Sequence, residues 1–168
     1  SLDRIGAFAH LSLGRIDEFV GNWPAAINHY QQAINIFRRL DNHVYLARSW
    51  HDLGRVYANF SQFGLAQQAY EEAGEILSPT NNIKDKAWVS LNLGVLYYRQ
   101  EKWTKAEAAF LEIDPVALRE QNELDLLGRF YNNLGNVYLK MERWESAADD
   151  LNLAISLFRE RENQLDLG

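Results

Sequence analysis

Apolar residues recur along this chain with the period of a helix rather than that of a strand. Trp50, Leu53, Gly54 and Tyr57 stand at i, i+3, i+4 and i+7, one face of an α-helix. Ala66, Tyr70 and Ala73 define a second such face a few residues on. Short polar stretches, such as Ser61-Gln62 and Gln100-Glu101-Lys102, separate the helical segments. Connections this short leave room only for a tight turn, so two helices joined by one lie antiparallel.

The hairpin then repeats. Leu-Gly occurs at Leu13-Gly14, Leu53-Gly54, Leu93-Gly94 and Leu134-Gly135, at spacings of 40, 40 and 41. With each glycine as an anchor, further columns fall into register. Seven residues before it stands Ala7, Ala47, Ala87 or Gly128; nine after it, Trp23, Phe63, Trp103 or Trp144. Twelve after comes alanine every time (Ala26, Ala66, Ala106, Ala147), and sixteen after comes Tyr30, Tyr70, Phe110 or Leu151. Small columns let paired helices approach closely, and the aromatic columns fill the space on either side. A single hairpin has a second face to bury, so neighbouring hairpins stack. The expected organisation is one solenoid over 1–168, with repeats at about 3–40, 43–80, 83–121 and 123–161 and a fifth beginning at 162–168. Gly168 falls in the small column of that fifth repeat, which leads us to expect a longer parent array. In the third repeat Asp114-Pro115 predicts a restarted helix, with Asp as its cap and Pro at its first position.

The run Trp50-His51-Asp52-Leu53-Gly54-Arg55-Val56-Tyr57, followed by Ala66 and Tyr70, resembles the tetratricopeptide repeat signature. Residues 131–138, YNNLGNVY, repeat it with Tyr in the place of Trp. The period near 40 is longer than the family's usual one. It is similar to the longer repeats of kinesin light chain, the spindle-orientation adaptor Pins and bacterial sensor-regulators. The resemblance implies an all-α fold, a right-handed α-solenoid of antiparallel hairpins, whose concave groove receives a peptide or helical segment of a partner.

Composition narrows the function classes. A net charge of −6 argues against non-specific nucleic-acid binding, which needs clustered Lys and Arg. No apolar run approaches the length of a membrane span. The chain has no cysteine, so it has neither disulfides nor thiolate metal sites, which fits a reducing, cytoplasmic setting. The glycines form no phosphate-cradling cluster, and His10, His29, His43 and His51 show no metal-ligand spacing. His10, in the Trp50 column, reads as a core-edge side chain. We expect no enzyme, no cofactor and no metal.

On the family's pattern, the positions six and three before the anchor, and one and four after it, face the groove. Repeat one places Phe8, Leu11, Arg15 and Glu18 there; repeat two, Arg48, His51, Arg55 and Ala58. Repeat three places Trp88, Leu91, Val95 and Tyr98; repeat four, Arg129, Asn132, Asn136 and Leu139. Asn92 and Asn133 lie beside the stripe. Arg15, Arg48, Arg55 and Arg129 oppose one carboxylate of that stripe, Glu18, which suggests an acidic partner with apolar anchors. Measured against the family's carboxylate clamp, Asn92 and Arg129 match. His51 and Arg55 stand where Lys and Asn are expected, and Asn133 where a basic residue is usual. Two further expectations are a regulatory or sensor segment of a larger signalling protein and self-association through uncapped ends of the stack.

Overall fold

The computed structural model describes residues 2–166. Among them are nine α-helices and no strand. They are α1 (Leu2–Phe19), α2 (Trp23–Arg39), α3 (His43–Asn59), α4 (Phe63–Leu77), α5 (Ile83–Arg99), α6 (Trp103–Leu111), α7 (Pro115–Glu120), α8 (Leu124–Lys140) and α9 (Trp144–Asp166). The helices gather into two compact units, Ser1–Asn81 and Asn82–Gly168. The first holds α1–α4 and the second α5–α9.

Most turns share one construction. Gly21, Asp41, Ser61, Glu101, Asn122 and Glu142 all adopt a left-handed conformation, with φ between 52° and 78°. The amide of the following residue reaches back to the carbonyl five positions earlier. Asn42 N donates to Phe37 O at 3.0 Å, Gln62 N to Tyr57 O at 2.8 Å and Lys102 N to Tyr97 O at 3.0 Å. This 6→1 bond satisfies a helix-end carbonyl that would otherwise lack a partner. Only the turn at Gly21 uses the residue for which a positive φ carries no steric penalty.

The anchor glycines have a more specific role than allowing bare helices to approach. The residue sixteen positions on lies directly over each of them. A Cβ added to Gly54 would sit 2.7 Å from Tyr70 Cε1, and one added to Gly14 would sit 2.9 Å from Tyr30 Cε1. Phe110 covers Gly94, and in the fourth repeat Leu151 Cγ would lie 2.8 Å from a Cβ on Gly135. The glycine is thus a socket for a ring from the second helix. Tyr30 and Phe110 are fully buried there, and Tyr70 nearly so.

Each unit has its own core. Tyr30, Ile34, Phe37, Leu53 and Val56 pack together in the first, and Phe110, Leu118, Leu126, Phe130 and Val137 in the second. The third repeat breaks where Asp114-Pro115 predicts. α6 ends at Leu111 and α7 starts at Pro115, with Asp114 Oδ1 accepting from Val116 N at 3.0 Å and Ala117 N at 3.1 Å. At the other end α9 continues through Asp166, so residues 162–166 extend that helix instead of opening a new one. No Gly, Pro or left-handed residue interrupts it there. Gly168, the expected small position of a fifth repeat, lies outside the described residues.

Candidate functional site

In the first unit the positions expected to face a groove carry an ion network. Arg55 Nε and Nη2 each donate to a Glu18 carboxylate oxygen at 2.7 Å, a bidentate pair between α3 and α1. Arg55 Nη1 stands 3.2 Å from Asp52 Oδ1, one turn away on its own helix. Arg15 Nη2 lies 3.4 Å from the other Asp52 oxygen, and His51 Nδ1 is 3.6 Å from Oδ1. The Tyr30 hydroxyl donates to Glu18 Oε2 at 3.1 Å.

The network perturbs its members in a consistent way. Burial pushes the Asp52 carboxyl up. The hydrogen bond from His51 and the charges of Arg55, His51 and Arg15 outweigh burial and hold it below its usual value. The hydrogen bond to Glu18, then the charges of Asp52 and Glu18, raise Arg55 against the opposing effect of burial. Burial first, and the Asp52 and Glu18 carboxylates second, raise Tyr30. A carboxylate as enclosed as Asp52 stays ionised only with such partners.

The second unit uses the same register positions differently. Val95 and Tyr98 on α5, Phe110 on α6 and Asn133 and Asn136 on α8 line an open slot of about 200 Å³. By offset from the anchor they correspond to Arg15, Glu18, Tyr30, Asp52 and Arg55 in that order. The five positions that four charges and a tyrosine fill in one unit surround a hollow in the other. Phe110 forms its floor, and Tyr98 is braced by Trp103, with ring centroids 5.0 Å apart. Asn136 Nδ2 donates to Asn132 O at 2.8 Å, which holds the amide in place and leaves its Oδ1 acceptor. One turn or more toward the start of both helices, the Arg129 guanidinium lies 5.9 Å from the Trp88 ring centroid. Asn92 is half-buried on α5.

Two expectations need correction. Two members of the column three before the anchor lie in the core instead of at the surface. Leu91 is 3% exposed and Leu11 5%, both in their cores, while His51 and Asn132 are half-buried. The reason is local: this column follows the small column by four residues, so it lies on the face that meets the second helix. Ala58, expected in the groove, is buried as well.

The surface is also less cationic than the arginines alone suggest. Besides Glu18, Asp52 pairs with Arg15 and Arg55. Asp125 pairs with Arg129 at 2.8 Å and with Arg161 at 3.2 Å. Arg48 lies 5.3 Å from the Tyr45 ring centroid. The Asp52–Arg55 and Asp125–Arg129 spacings, i,i+3 and i,i+4, are visible in the sequence and mark these pairs. Nothing local marks Glu18 and Arg55, which are 37 residues apart.

Two further clefts lie within single units. In the first, Gln31, Asn35, Gln68, Ile34, Leu65 and Trp50 line a cleft of about 680 Å³ with polar and apolar walls, and the Trp50 Nε1 atom is buried without a hydrogen-bond partner. In the second, Val116, Leu127, Tyr131, Leu153 and Leu157 line an apolar cleft of about 420 Å³ beside α7. Among the described residues no group of three or more His, Asp or Glu is placed to hold a metal ion. Nor, among the described residues, is any helix long and apolar enough to cross a membrane.

The tetratricopeptide repeat model matches residues 7–78 and 85–160. The chain belongs to the tetratricopeptide repeat family. No curated protein matches the sequence. The crystal structure of BtubC (BKLC) from P. vanneervenii matches this tetratricopeptide chain with a TM-score of 0.80 at 22% identity, over 93% of this chain and 64% of that one. Apo RapI matches with a TM-score of 0.85 at 15% identity, over 94% and 57% respectively. The Rap conjugation gene regulator of plasmid pLS20, solved in complex with the Phr* peptide, matches with a TM-score of 0.72 at 21% identity, over 90% and 42%. The chain therefore spans less than two thirds of each of these structures, and at such identities the likeness establishes the fold.

Proposed function

We propose that this tetratricopeptide chain is a protein-interaction module, and that its second unit receives an extended segment of a partner in the Val95–Tyr98–Phe110–Asn133–Asn136 slot. The observation that carries the reading is that slot itself, which is open where the matching positions of the first unit are closed by ion pairs. Asparagine amides offer both a donor and an acceptor, the pair of groups that a peptide main chain presents. A slot of about 200 Å³ walled by Val95, Tyr98 and Phe110 has room for one apolar anchor side chain. Trp88 and Arg129 extend the surface along the same two helices, and Trp, Tyr and Arg are the residues in which binding hot spots are rich. Because Arg129 is already paired with Asp125, the anchor and the main-chain bonds, rather than net charge, supply most of the affinity. The Phr* complex is a precedent within the fold for a peptide ligand.

Selecting peptides from a random displayed library on the purified chain, then titrating them by calorimetry, tests this directly. Tyr98→Ala and Asn136→Ala should each weaken the selected peptides by about tenfold or more, whereas Arg48→Ala on the first unit should leave them unchanged. Peptides that bind all three variants with wild-type affinity would place recognition elsewhere.

A further inference from the structure

In the first unit the protein's own donors occupy the place that lies open in the second. Tyr30, sixteen residues after its anchor, donates through its hydroxyl to Glu18 Oε2 at 3.1 Å. Arg55 brings two more donors to the same carboxylate. Phe110 stands at the Tyr30 offset and carries no hydroxyl. Tyr98 replaces the Glu18 carboxylate, and Asn136 replaces the Arg55 guanidinium. The hydroxyl and the guanidinium that fill the first unit are both missing here.

An acceptor stands in their place. Asn136 Nδ2 donates to Asn132 O at 2.8 Å. A main-chain carbonyl can only accept, so the amide has one possible orientation, with Oδ1 turned from its own helix. Among the described residues Asn136 bonds no other group. Beside it the walls are the aliphatic Val95 and the half-buried Tyr98 ring, which Trp103 braces from behind. None of the five lining residues is charged, so an ionic guest would lose its hydration without a counter-charge. Benzene fills an apolar cavity of about 150 Å³. The slot, at about 200 Å³, therefore has room for a phenol or an indole.

We infer that the anchor received by the slot is an aromatic side chain carrying its own donor, the O–H of a tyrosine or the N–H of a tryptophan. Its ring packs on Tyr98, as aromatic pairs do edge-to-face or offset. Its donor meets Asn136 Oδ1 and supplies from the partner what the Tyr30 hydroxyl supplies within the first unit. An aliphatic or phenylalanine anchor fills the same space but shuts Oδ1 off from solvent unpaired, which lowers affinity. The inference rests on the slot being the binding site and goes beyond it by naming the chemistry of the anchor.

Library-selected peptides that bind the full chain and weaken on Tyr98→Ala should share a tyrosine or tryptophan at one position. In synthetic copies, exchanging that tyrosine for phenylalanine, or that tryptophan for its N-methyl form, should weaken binding to wild type by about tenfold. Against Asn136→Ala, where the acceptor is gone, the same exchange should change affinity by about twofold or less. A peptide-free arm titrates wild type with p-cresol and with toluene by NMR. The cresol should bind about tenfold more tightly and shift the Asn136 side-chain amide signals, and the preference should vanish in Asn136→Ala. Helical circular dichroism verifies that both variants fold. Three results would overturn the inference and leave the slot reading standing: Tyr98-dependent peptides that share an aliphatic, phenylalanine or charged anchor, an exchange that costs the same against wild type and Asn136→Ala, or toluene binding as tightly as cresol. Peptides indifferent to Tyr98→Ala would sink the slot reading itself, and this inference with it.

Discussion

The two units place their side chains on the same repeat register and use five matched positions for opposite ends. In the first, Arg15, Glu18, Tyr30, Asp52 and Arg55 close on one another. In the second, Val95, Tyr98, Phe110, Asn133 and Asn136 leave a slot. The backbone geometry that brings the five together is common to both, since each rests on a ring seated over an anchor glycine. What differs is whether the side chains complete one another. Charges of both signs at four of those positions bond the two hairpins of a unit together, while two aromatics, an aliphatic and two amides leave a slot. A repeat fold can thus close one pair of hairpins with ion pairs and leave a slot in the next without altering its frame.

The largest effect should come from opening the closed unit. Glu18→Ala leaves the Arg55 guanidinium with Asp52 as its remaining carboxylate and the Tyr30 hydroxyl without the Glu18 acceptor. It should destabilise the first unit by about 2–4 kcal/mol in denaturant unfolding. Tyr98→Ala, the matched change in the second unit, removes a half-exposed ring and should cost about 1–2 kcal/mol. Equal losses would mean that the network contributes no cohesion of its own.

The anchor sockets sharpen the contrast next. In Gly54→Ala the new methyl meets the rigid Tyr70 ring, and stability should fall by about 1–2 kcal/mol. In Gly135→Ala it meets Leu151 Cγ at 2.8 Å, the branch point of a side chain that can turn where a ring cannot, and the Ala147 carbonyl lies 3.3 Å away. The gain in helix propensity of about 1 kcal/mol should roughly offset that crowding. Thermal melts of the two variants separate the cases.

Acidification should move the units in opposite directions. Asp52 titrates lower in the folded chain than its ordinary value of 3.8, so its contribution is complete above that pH and is lost as pH falls through the folded value. Asp150 in the second unit titrates above 3.8, through burial and then the neighbouring Asp149. Its folded state favours the protonated form, so the second unit gains stability as pH drops through that raised value. Residue-resolved hydrogen exchange from pH 6 down to about pH 3 should show protection declining in α1 and α3 while α8 and α9 hold or gain. The smallest effect is at the turns. Glu101→Gly relieves a left-handed residue in the second unit and should stabilise it by about 0.5–1 kcal/mol, as should Ser61→Gly in the first.

Much of the fold is legible in the chain. The Leu-Gly spacing locates the first helices, the aromatic column sixteen residues on locates the rings that cover them, and Asp114-Pro115 locates the restarted helix. These features are local or strictly periodic. The candidate site was legible only in part, because its outcome depends on partners from different helices. Val95, Tyr98, Asn133 and Asn136 appear among the groove or adjacent positions, but Phe110 is recognisable from the sequence only as a core column. Leu91 falls on the interhelix face because a position four residues after a small column shares its direction. Arg55 carries the same guanidinium whether solvated or locked. Only the approach of Glu18 from another helix decides which.

Exchanging the two sets of residues tests most directly whether the slot holds a partner. A second unit carrying Val95→Arg, Tyr98→Glu, Asn133→Asp and Asn136→Arg acquires the ion set of the first and should close. Calorimetric titration of a library-selected peptide against this folded variant should show affinity reduced by about a hundredfold or more relative to wild type. Wild-type affinity in a variant whose helical signal and melting remain intact would contradict the claim that the open slot is where a partner is held.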